Sequence, residues 1–464
     1  MIKIEVKTRD GNRVLEYCER VLASEVLTDV GIILSKPCGG RGVCGKCKIL
    51  LNGETVLACK TYIDSDSVIE YIHDFSEISG IVGGESDEYP YDPIISCGYG
   101  AAIDIGTTTI AEYVYKFPEG TLVKSICRAN PQSEFGADVI SRIDSYSKGN
   151  GEKLSYAVKS VIREITDGYG VDKYVICGNT AMLHLLTGKD PRSMVVAPYE
   201  AEELFGVWQE NTYLMRCSSS YVGADVVSAV LASGMMNYEK ALLIDIGTNG
   251  EMVLKNGDEL IACSTAAGPC FEGADIACGT QAISGAINSV SVNDGQVLFT
   301  TIGNATPIGL CGTGLVDAVA TLLKIGLIDE TGYMEEEYPF GDSNVYLAPS
   351  DVRKFQLAKS AVRSGIETLL HHAGISADEL DAFYIAGGFG SYLDTGRAAE
   401  TGLIPRELVK KARAIGNGAG IGASMLLKSK DCLPQSETIA RAIKTVSLAT
   451  DVYFMDKYIE NMEF

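Results

Sequence analysis

The stretch AAIDIGTTTIAEYVY, residues 101–115, decides the fold of this 464-residue chain, because a similar stretch, LLIDIGTNGEMVL, recurs at residues 242–254. Each copy predicts an apolar strand that ends near an aspartate, then a Gly-Thr turn, then a second strand. The equivalent aspartates, Asp104 and Asp245, lie 141 residues apart. A repeat of this size predicts two similar lobes, each built on a twisted sheet, that face one another across a ligand cleft.

The repeated turns have the chemistry of a phosphate site. Backbone N–H groups and hydroxyls of each Gly-Thr turn are expected to point to the same place as the carboxylate, and phosphate oxygens suit such donors. The acids would repel bare phosphate, so they favour a Mg²⁺ ion between them and the phosphates, held mostly through water. One such turn is a weak signal, whereas two copies at half-domain separation are a strong one.

Two further glycine loops extend this prediction. The stretch CGTGLVD, residues 311–317, begins a predicted helix, and its Gly312, Thr313 and Gly314 would form an anion site at the helix N-terminus. The stretch YIAGGFGSYL, residues 384–393, ends an apolar strand in a glycine pair that lets backbone approach a flat ligand such as adenine. Neither loop is a Rossmann fingerprint or a Walker loop, so those folds are disfavoured.

Four cysteines near the N-terminus predict an iron–sulfur site. They are Cys38, Cys44, Cys47 and Cys59, in KPCGGRGVCGKCKILLNGETVLAC. This spacing is one residue longer in its first gap than the plant-type [2Fe–2S] pattern, in which four thiolates hold the cluster. A structural zinc site and disulfides are the alternatives, but zinc ligands usually come in two close pairs, and here three cysteines share one glycine-rich loop.

Composition limits the classes of function. The formal net charge of −22 opposes nucleic-acid binding. The sequence has no apolar run of 18 residues, so no membrane span is predicted. Fourteen cysteines in a long chain without an apolar leader indicate a reducing cytoplasm. Residues 1–75 predict a small mixed sheet with a helix, residues 76–98 a flexible linker, and residues 99–464 alternating strands and helices, divided near residue 240.

Further segments carry a family resemblance. The stretches VICGNTAM (175–182), IAGGFG (385–390) and GNGAGIGA (416–423), with the two repeated turns, resemble the signature segments of the acetate and sugar kinase, heat-shock chaperone and actin superfamily, in the same order. With the cysteine-bearing head and STAAGPCFEGADI (264–276), the chain resembles the ATP-dependent reductive activators of corrinoid proteins. That resemblance implies an N-terminal β-grasp, ferredoxin-like domain followed by a two-lobed actin-like ATPase with duplicated ribonuclease-H-like halves.

The resemblance also implies roles for individual residues. It assigns Asp104 and Asp245 to catalysis, and it assigns ATP with Mg²⁺ to the cleft. The implied nucleotide-binding residues are Gly106, Thr107, Thr108 and Thr109 in the first phosphate loop, Gly247, Thr248, Asn249 and Gly250 in the second, and Gly387, Gly388 and Phe389 in the adenosine loop. Asn179 and Thr180 mark one interdomain segment, and Gly418 and Gly420 mark the other.

Two departures from the family pattern stand out. Larger members have a separate middle domain, whereas here residues 97–100 run straight from the linker into the first phosphate strand. Chaperone relatives have a glutamate beside the first interdomain segment, but Gly178 occupies that place, so no general base can be named. Glu251 and Glu272 fit water or metal contacts and plain surface acids equally well.

The function that the resemblance implies is the ATP-dependent return of cob(II)alamin to cob(I)alamin in a methyltransferase system, with one electron from the [2Fe–2S] cluster. Its partners would be a corrinoid protein and a low-potential electron donor, and dimerisation rests on the resemblance alone. One alternative is a small-molecule kinase with a fused electron-transfer domain. The other is an actin-like ATPase module whose cluster senses redox state.

Overall fold

The computed structural model describes residues 1–8, 11–30, 47–70 and 89–464. The N-terminal head contains a mixed five-stranded sheet with the strand order β2-β1-β7-β4-β5, and Ile4, Val6 and Ile69 form its core with Val26 and Leu27 of one helix. The strands are β1 (Ile2–Thr8), β2 (Gly11–Tyr17), β3 (Val21–Leu22), β4 (Lys48–Leu51), β5 (Glu54–Leu57), β6 (Tyr62–Ile63) and β7 (Ser67–Glu70), and the helix is α1 (Ala23–Asp29).

Lobe 1 contains a six-stranded sheet with the order β10-β9-β8-β11-β13-β12. Its first three strands are antiparallel, and β11 returns parallel to β8. The strands are β8 (Gly98–Ile105), β9 (Thr109–Phe117), β10 (Thr121–Ala129), β11 (Lys173–Gly178), β12 (Val207–Gln209) and β13 (Thr212–Leu214), and the helices are α2 (Val139–Ser145), α3 (Gly151–Thr166), α4 (Thr180–Thr187) and α5 (Ala224–Ser233).

Lobe 2 repeats this plan in a sheet with the order β23-β22-β14-β15-β16-β24 and adds a three-stranded sheet, β18-β17-β19. Its strands are β14 (Lys240–Ile246), β15 (Gly250–Asn256), β16 (Glu259–Thr265), β17 (Ala286–Asn293), β18 (Gln296–Thr301), β19 (Gly309–Leu310), β20 (Tyr338–Pro339), β21 (Tyr346–Leu347), β22 (Ala382–Ala386), β23 (Ala412–Gly416) and β24 (Ile443–Thr445). The later helices are α6 (Gly312–Lys324), α7 (Pro349–Ala373), α8 (Gly387–Gly390), α9 (Thr395–Glu400), α10 (Gly418–Lys428), α11 (Cys432–Ala442) and α12 (Val452–Glu460).

The duplicated plan confirms the predicted fold class. In each lobe three antiparallel strands form a meander, and a later strand pairs in parallel with the first of the three. The chain passes from lobe to lobe more than once, because α10 and α11 come late but pack against α5 of lobe 1. A Cβ at Gly422 of α10 would lie 2.2 Å from the carbonyl oxygen of Ser228, so glycine is required for this close approach.

The segment before lobe 1 is held to it. The backbone N–H groups of Asp92 and Ile94 donate to the carbonyls of Lys428 and Leu427 at 3.1 Å each, and Ile95 is buried. Residues 76–88 of the predicted linker lie outside the described ranges. Across those ranges, no helix is both long and apolar enough to cross a membrane.

Candidate functional site

The two repeated turns form tight hairpin loops at equivalent places in the two sheets. In lobe 1 the last strand pair is Ile105–Ile110, and residues 106–109, loop 1, connect β8 to β9. In lobe 2 the last pair is Ile246–Gly250, so loop 2, residues 247–250, is one residue shorter between its paired positions. Each loop begins two residues after an aspartate, Asp104 in lobe 1 and Asp245 in lobe 2.

The two predicted aspartates lie close enough for the charge of Asp245 to raise the pKa of Asp104. Loss of contact with water, the charge of Asp225 and then that of Asp245 raise the pKa of Asp104 to about 7. Burial, with the charges of Asp225 and Glu272, raises the pKa of Asp245 to about 7. Glu251 lies directly opposite Asp245 in the sheet, and burial with the charges of Asp225 and Asp245 holds its pKa well above the ordinary value. The structure therefore brings five carboxylates from both lobes into one cleft.

Asp225 was not predicted from the sequence. It lies in the first turn of α5, and burial raises its pKa to about 6. The glycine before this helix is forced by close packing, since a Cβ at Gly223 would lie 2.6 Å from Asp225 Oδ1 and 2.7 Å from Asn179 Cα. The run Gly-Ala-Asp at residues 223–225 was the available signal, and it gave no reason to place the acid in the cleft.

Glu272 joins the two loops. Its Oε2 accepts hydrogen bonds from the Thr108 hydroxyl at 2.8 Å and the Thr248 hydroxyl at 3.2 Å, and its Oε1 accepts one from the Thr248 N–H at 3.2 Å. Burial raises its pKa, and these hydrogen bonds lower it in part. The surface-acid reading of Glu272 is therefore wrong, because the carboxylate lies between the two loops.

Loop 1 has a buried support that the sequence did not reveal. Arg142, which is 0% exposed, donates from Nη2 to the Thr107 carbonyl at 2.6 Å and from Nε to the Gly136 carbonyl at 3.0 Å. Asn130, also 0% exposed, donates from Nδ2 to the Gly106 carbonyl at 2.8 Å. Burial lowers the pKa of Arg142 to about 10. Both residues lie in NPQSEFGADVISRI, which follows β10 as GPCFEGADI follows β16, and comparison of these segments was the missed signal.

The interdomain segments also reach the cleft. Asn179 caps α4 by accepting a hydrogen bond from the Ala181 N–H at 2.9 Å, and the buried Thr180 hydroxyl donates to the Ser219 carbonyl at 2.7 Å. In the second segment Asn417 donates from Nδ2 to Asp104 Oδ2 at 3.0 Å. Its own Oδ1 accepts from the Gly420 N–H at 2.9 Å, so Gly418 and Gly420 open a helix that begins beside Asp104.

The predicted adenosine loop adjoins loop 2. Gly387 has φ +85°, and a Cβ there would lie 2.6 Å from Asp245 Oδ1, so both conformation and space require glycine. The next residue, Gly388, is exposed, and the Phe389 ring stacks on Phe271 with centroids 5.0 Å apart. An aromatic pair thus lies next to the glycines that were expected to meet adenine.

Packing accounts for the glycines at the start of α6. A Cβ at Gly312 would lie 2.0 Å from the Phe271 carbonyl, and one at Gly314 would lie 2.0 Å from the Ile287 carbonyl. Thr313 is nearly buried, and its hydroxyl donates to the Asn288 carbonyl at 3.0 Å. These contacts seat α6 against β17, and the anion-binding role of the three residues stays a prediction.

Two of the four predicted cluster ligands lie within the described ranges, and the fold brings them together. Cys47 and Cys59 flank the hairpin β4–β5 at its open end, and they are 1% and 6% exposed. The Cys59 N–H donates to Cys47 Sγ at 3.5 Å, a contact that stabilises negative charge on sulfur. Cys38 and Cys44 lie outside the described residues.

Comparisons with known proteins agree with this geometry. Residues 239–464 match the family model described as the C-terminal domain of RACo, the ASKHA domain, and residues 99–238 match the RACo middle region. The corrinoid activation enzyme RamQ of Eubacterium limosum is 29% identical over 578 residues, with 97% of each chain covered. The [Co(II) methylated amine-specific corrinoid protein] reductase of Methanosarcina barkeri is 26% identical over 419 residues, covering 79% of this chain and 77% of the relative.

A solved structure agrees as well. The reductive activator for corrinoid,iron-sulfur protein superposes with a TM-score of 0.73 at 28% identity, covering 100% of this chain and 98% of that one. The family model named the RACo middle region covers residues 99–238, which form lobe 1. The expected absence of a separate domain between the linker and lobe 1 stays a prediction. The alignment with the Eubacterium limosum relative is nevertheless longer than this chain, so that relative has residues without counterparts here. The chain therefore belongs to the RACo family of corrinoid reductive activators.

Proposed function

We propose that this chain uses ATP to drive the one-electron reduction of cob(II)alamin to cob(I)alamin in a corrinoid protein of a methyltransferase system. One observation carries the proposal: in a member of the RACo family, Glu272 connects two acid-bearing loops across a cleft through Thr108 and Thr248. A cleft with mirrored carboxylates and hydroxyls suits a nucleotide with its divalent cation.

The residues of the cleft fit Mg²⁺-ATP. Five partly exposed carboxylates with raised pKa values repel one another, and a divalent cation would relieve that repulsion. Asp104 and Asp245 would hold the water shell of Mg²⁺, and the N–H groups of loops 1 and 2 would bind the phosphates. The adenosine would lie at Gly387 and Gly388, close to the Phe389 ring.

The cysteines fit a [2Fe–2S] cluster. The hairpin β4–β5 holds Cys47 and Cys59 side by side, and a backbone N–H points at one sulfur, which stabilises the negative charge of a thiolate ligand. Cys38 and Cys44 would complete the set of four. A [2Fe–2S] cluster, when bound, supplies one electron at a time, at a potential of about −400 mV for the plant type.

ATP has a thermodynamic role in this proposal. A gap of 59 mV is a factor of ten in equilibrium for one electron, so a reduction that is uphill by a few hundred millivolts costs several kcal/mol. ATP shifts such an equilibrium only if the lobes bind it differently in two conformations. Closure of the cleft on ATP would clamp the corrinoid protein and weaken a cobalt ligand, which lowers the cost of reduction.

The proposal includes a low-potential electron donor, a cytoplasmic location based on the number of cysteines, and a homodimer on family grounds. An anaerobic mixture of this protein, a cob(II)alamin protein, ATP and a low-potential reductant should give the cob(I) absorption only when ATP is present. Cys47→Ser should abolish both cluster absorption and cob(I) formation while ATP hydrolysis continues, and Cys18→Ser, at an exposed position, is the matched control. Phosphorylation of a metabolite without ATP-stimulated cob(I) formation would overturn the proposal.

A further inference from the structure

The internal repeat extends beyond the phosphate loops. After the third strand of each meander comes a short 3₁₀ turn, Pro131–Glu134 in lobe 1 and Pro269–Glu272 in lobe 2. A Gly-Ala-Asp run follows shortly after each turn, at residues 136–138 and 273–275. Glu134 and Glu272 correspond by their place at the last position of the two turns, although the Gly-Ala-Asp run begins two residues after Glu134 and directly after Glu272.

The two glutamates differ in what they meet. Glu134 is exposed, whereas Glu272 is partly buried and accepts hydrogen bonds from Thr108 of loop 1 and Thr248 of loop 2. The repeat has thus kept the same residue in both lobes but placed only one of the pair at the cleft. If the glutamate only stabilised its own turn, it would do so in both lobes, and contacts to loops 1 and 2 would not be needed.

We infer that Glu272 accepts the proton of the water that hydrolyses ATP. The inference rests on the proposed function, because it takes loops 1 and 2 as the binding site of the phosphates. The Thr108 hydroxyl donates its proton to Glu272, so its lone pairs can accept a hydrogen bond from a water molecule that lies beside both groups. The carboxylate is then within reach of that water.

The step balances without a further reactant. The water oxygen forms a bond to the γ-phosphorus, the bond from that phosphorus to the bridging oxygen breaks, and ADP leaves with the bonding pair. The proton of the water passes to an oxygen of Glu272, which later returns it to the phosphate product or to solvent. Withdrawal of Glu272 from bulk water makes it a stronger base than an exposed glutamate.

Asp245 is assigned to the water shell of Mg²⁺, and the remaining three acids of the cleft have different hydrogen-bond partners from Glu272. Asp104 accepts from the Asn417 amide at 3.0 Å, Asp225 accepts from the N–H of Val226 at 2.8 Å, and Glu251 accepts from Ser264 at 3.3 Å. Among the hydrogen bonds of the described residues, those of Glu272 connect the acid to both loops. Its carboxylate therefore lies where phosphates bound by both loops would meet.

The test compares Glu272→Gln with Glu134→Gln, a matched change at the equivalent turn. Glu272→Gln should lower kcat for ATP hydrolysis about 100-fold or more, the usual contribution of a general base. It should leave the dissociation constant for ATP and the melting temperature close to those of the wild type. Glu272→Asp should recover part of the rate, and Glu134→Gln should hydrolyse ATP at the wild-type rate.

Each outcome decides between the claims. Wild-type hydrolysis by Glu272→Gln, or weakened ATP binding in proportion to its lost rate, would overturn the base role and leave the glutamate as a tie between loops. In that case the wild-type protein would still form cob(I) with ATP, and the proposed function would stand. A wild-type protein that neither binds nor hydrolyses ATP would overturn both.

Discussion

Loops 1 and 2 share a sequence motif but are held in place by different chemistry. In both lobes a backbone N–H after the third strand donates to the threonine carbonyl at 2.8 Å, from Asn130 to Thr108 and from Gly268 to Thr248. Lobe 1 adds the Asn130 amide and the Arg142 guanidinium, which fix the Gly106 and Thr107 carbonyls.

In lobe 2 the corresponding loop is supported by a negatively charged side chain instead of a positively charged one. Gly268 has no side chain to mirror that of Asn130, and an acid, Glu272, binds the loop from the cleft side. The two copies of the loop thus have different supports: the Arg142 guanidinium and the Asn130 amide in lobe 1, and the Glu272 carboxylate in lobe 2. We interpret lobe 1 as the rigid phosphate holder and lobe 2 as the lobe that supplies chemistry.

The largest expected effect tests whether both lobes hold the cation. Asp245→Asn should lower Mg²⁺-dependent ATP hydrolysis about 100-fold or more, as the loss of one preorganised electrostatic group does elsewhere. Asp104→Asn should have an effect of the same order, because the two carboxylates share the cleft. Asp258→Asn, in an exposed turn of lobe 2, is the control for steady-state rates. Unchanged turnover in Asp245→Asn, with intact cluster absorption, would refute its assigned role.

The next effect concerns Arg142, the buried arginine that supports loop 1. Arg142→Met should lower the free energy of unfolding by about 3 kcal/mol, because two buried carbonyls lose charged donors. Urea denaturation measures this loss, and ATP affinity should fall with it as loop 1 loosens. Arg128→Met removes a partly exposed arginine with a 3.9 Å ion pair and should change stability little. Equal effects of the two changes would contradict the special support of loop 1.

A third effect depends on pH. The pKa values of Asp104 and Asp245 are raised to about 7 and that of Asp225 to about 6. Carboxyls with raised pKa values in the folded state bind more protons than in the unfolded chain, so their contribution to stability is lost as pH rises through about 6 to 7. Without Mg²⁺, the melting temperature of Asp225→Asn relative to that of the wild type should therefore rise between about pH 4 and pH 6, from the ordinary pKa of an aspartate to the raised pKa of Asp225.

Addition of Mg²⁺ and ATP should reduce that difference, because the cation offsets the repulsion between the acids. Melting curves at several pH values with EDTA or with Mg²⁺-ATP measure both effects. A difference between variant and wild type that stays constant with pH would contradict the raised pKa of Asp225.

The smallest effect converts lobe 1 toward the pattern of lobe 2. Asn130→Gly keeps the backbone N–H that donates to Thr108 but removes the side-chain bond to the Gly106 carbonyl. The expected cost is about 1 kcal/mol, the net value of one hydrogen bond. Urea denaturation should place this variant between the wild type and Arg142→Met. A loss of unfolding free energy as large as that of Arg142→Met would show that the Asn130 amide, and not the Arg142 guanidinium, supports loop 1.

The sequence predicted most of the fold because the repeat is local. Each meander is a run of apolar strands and turns that can be recognised in one stretch, and the Asp-x-Gly-Thr motif marks the cleft in both lobes. The spacing of the cysteines was equally local, and the hairpin β4–β5 accounts for the nearness of Cys47 and Cys59.

The supports of the site escaped prediction because they depend on long-range contacts. Arg142 is separated by 35 residues from the carbonyl of Thr107, and Asn417 by 313 residues from Asp104. A buried arginine in an amphipathic helix has no pattern that separates it from a surface one. Glu272 had the right position in a family segment, but only the folded lobes bring it between Thr108 and Thr248.

The late packing of α10 and α11 on lobe 1 has a consequence for the biosynthesis of this protein. Apolar residues of these helices, Leu426, Leu427 and Ile439 among them, belong to the same core as Ile103 and Val227. A chain leaving the ribosome cannot complete that core until residue 442 has emerged, so lobe 2 is synthesised while lobe 1 still waits for its last helices. A fragment that ends at residue 238, at the boundary of the matched middle region, would leave this apolar surface exposed to aggregation.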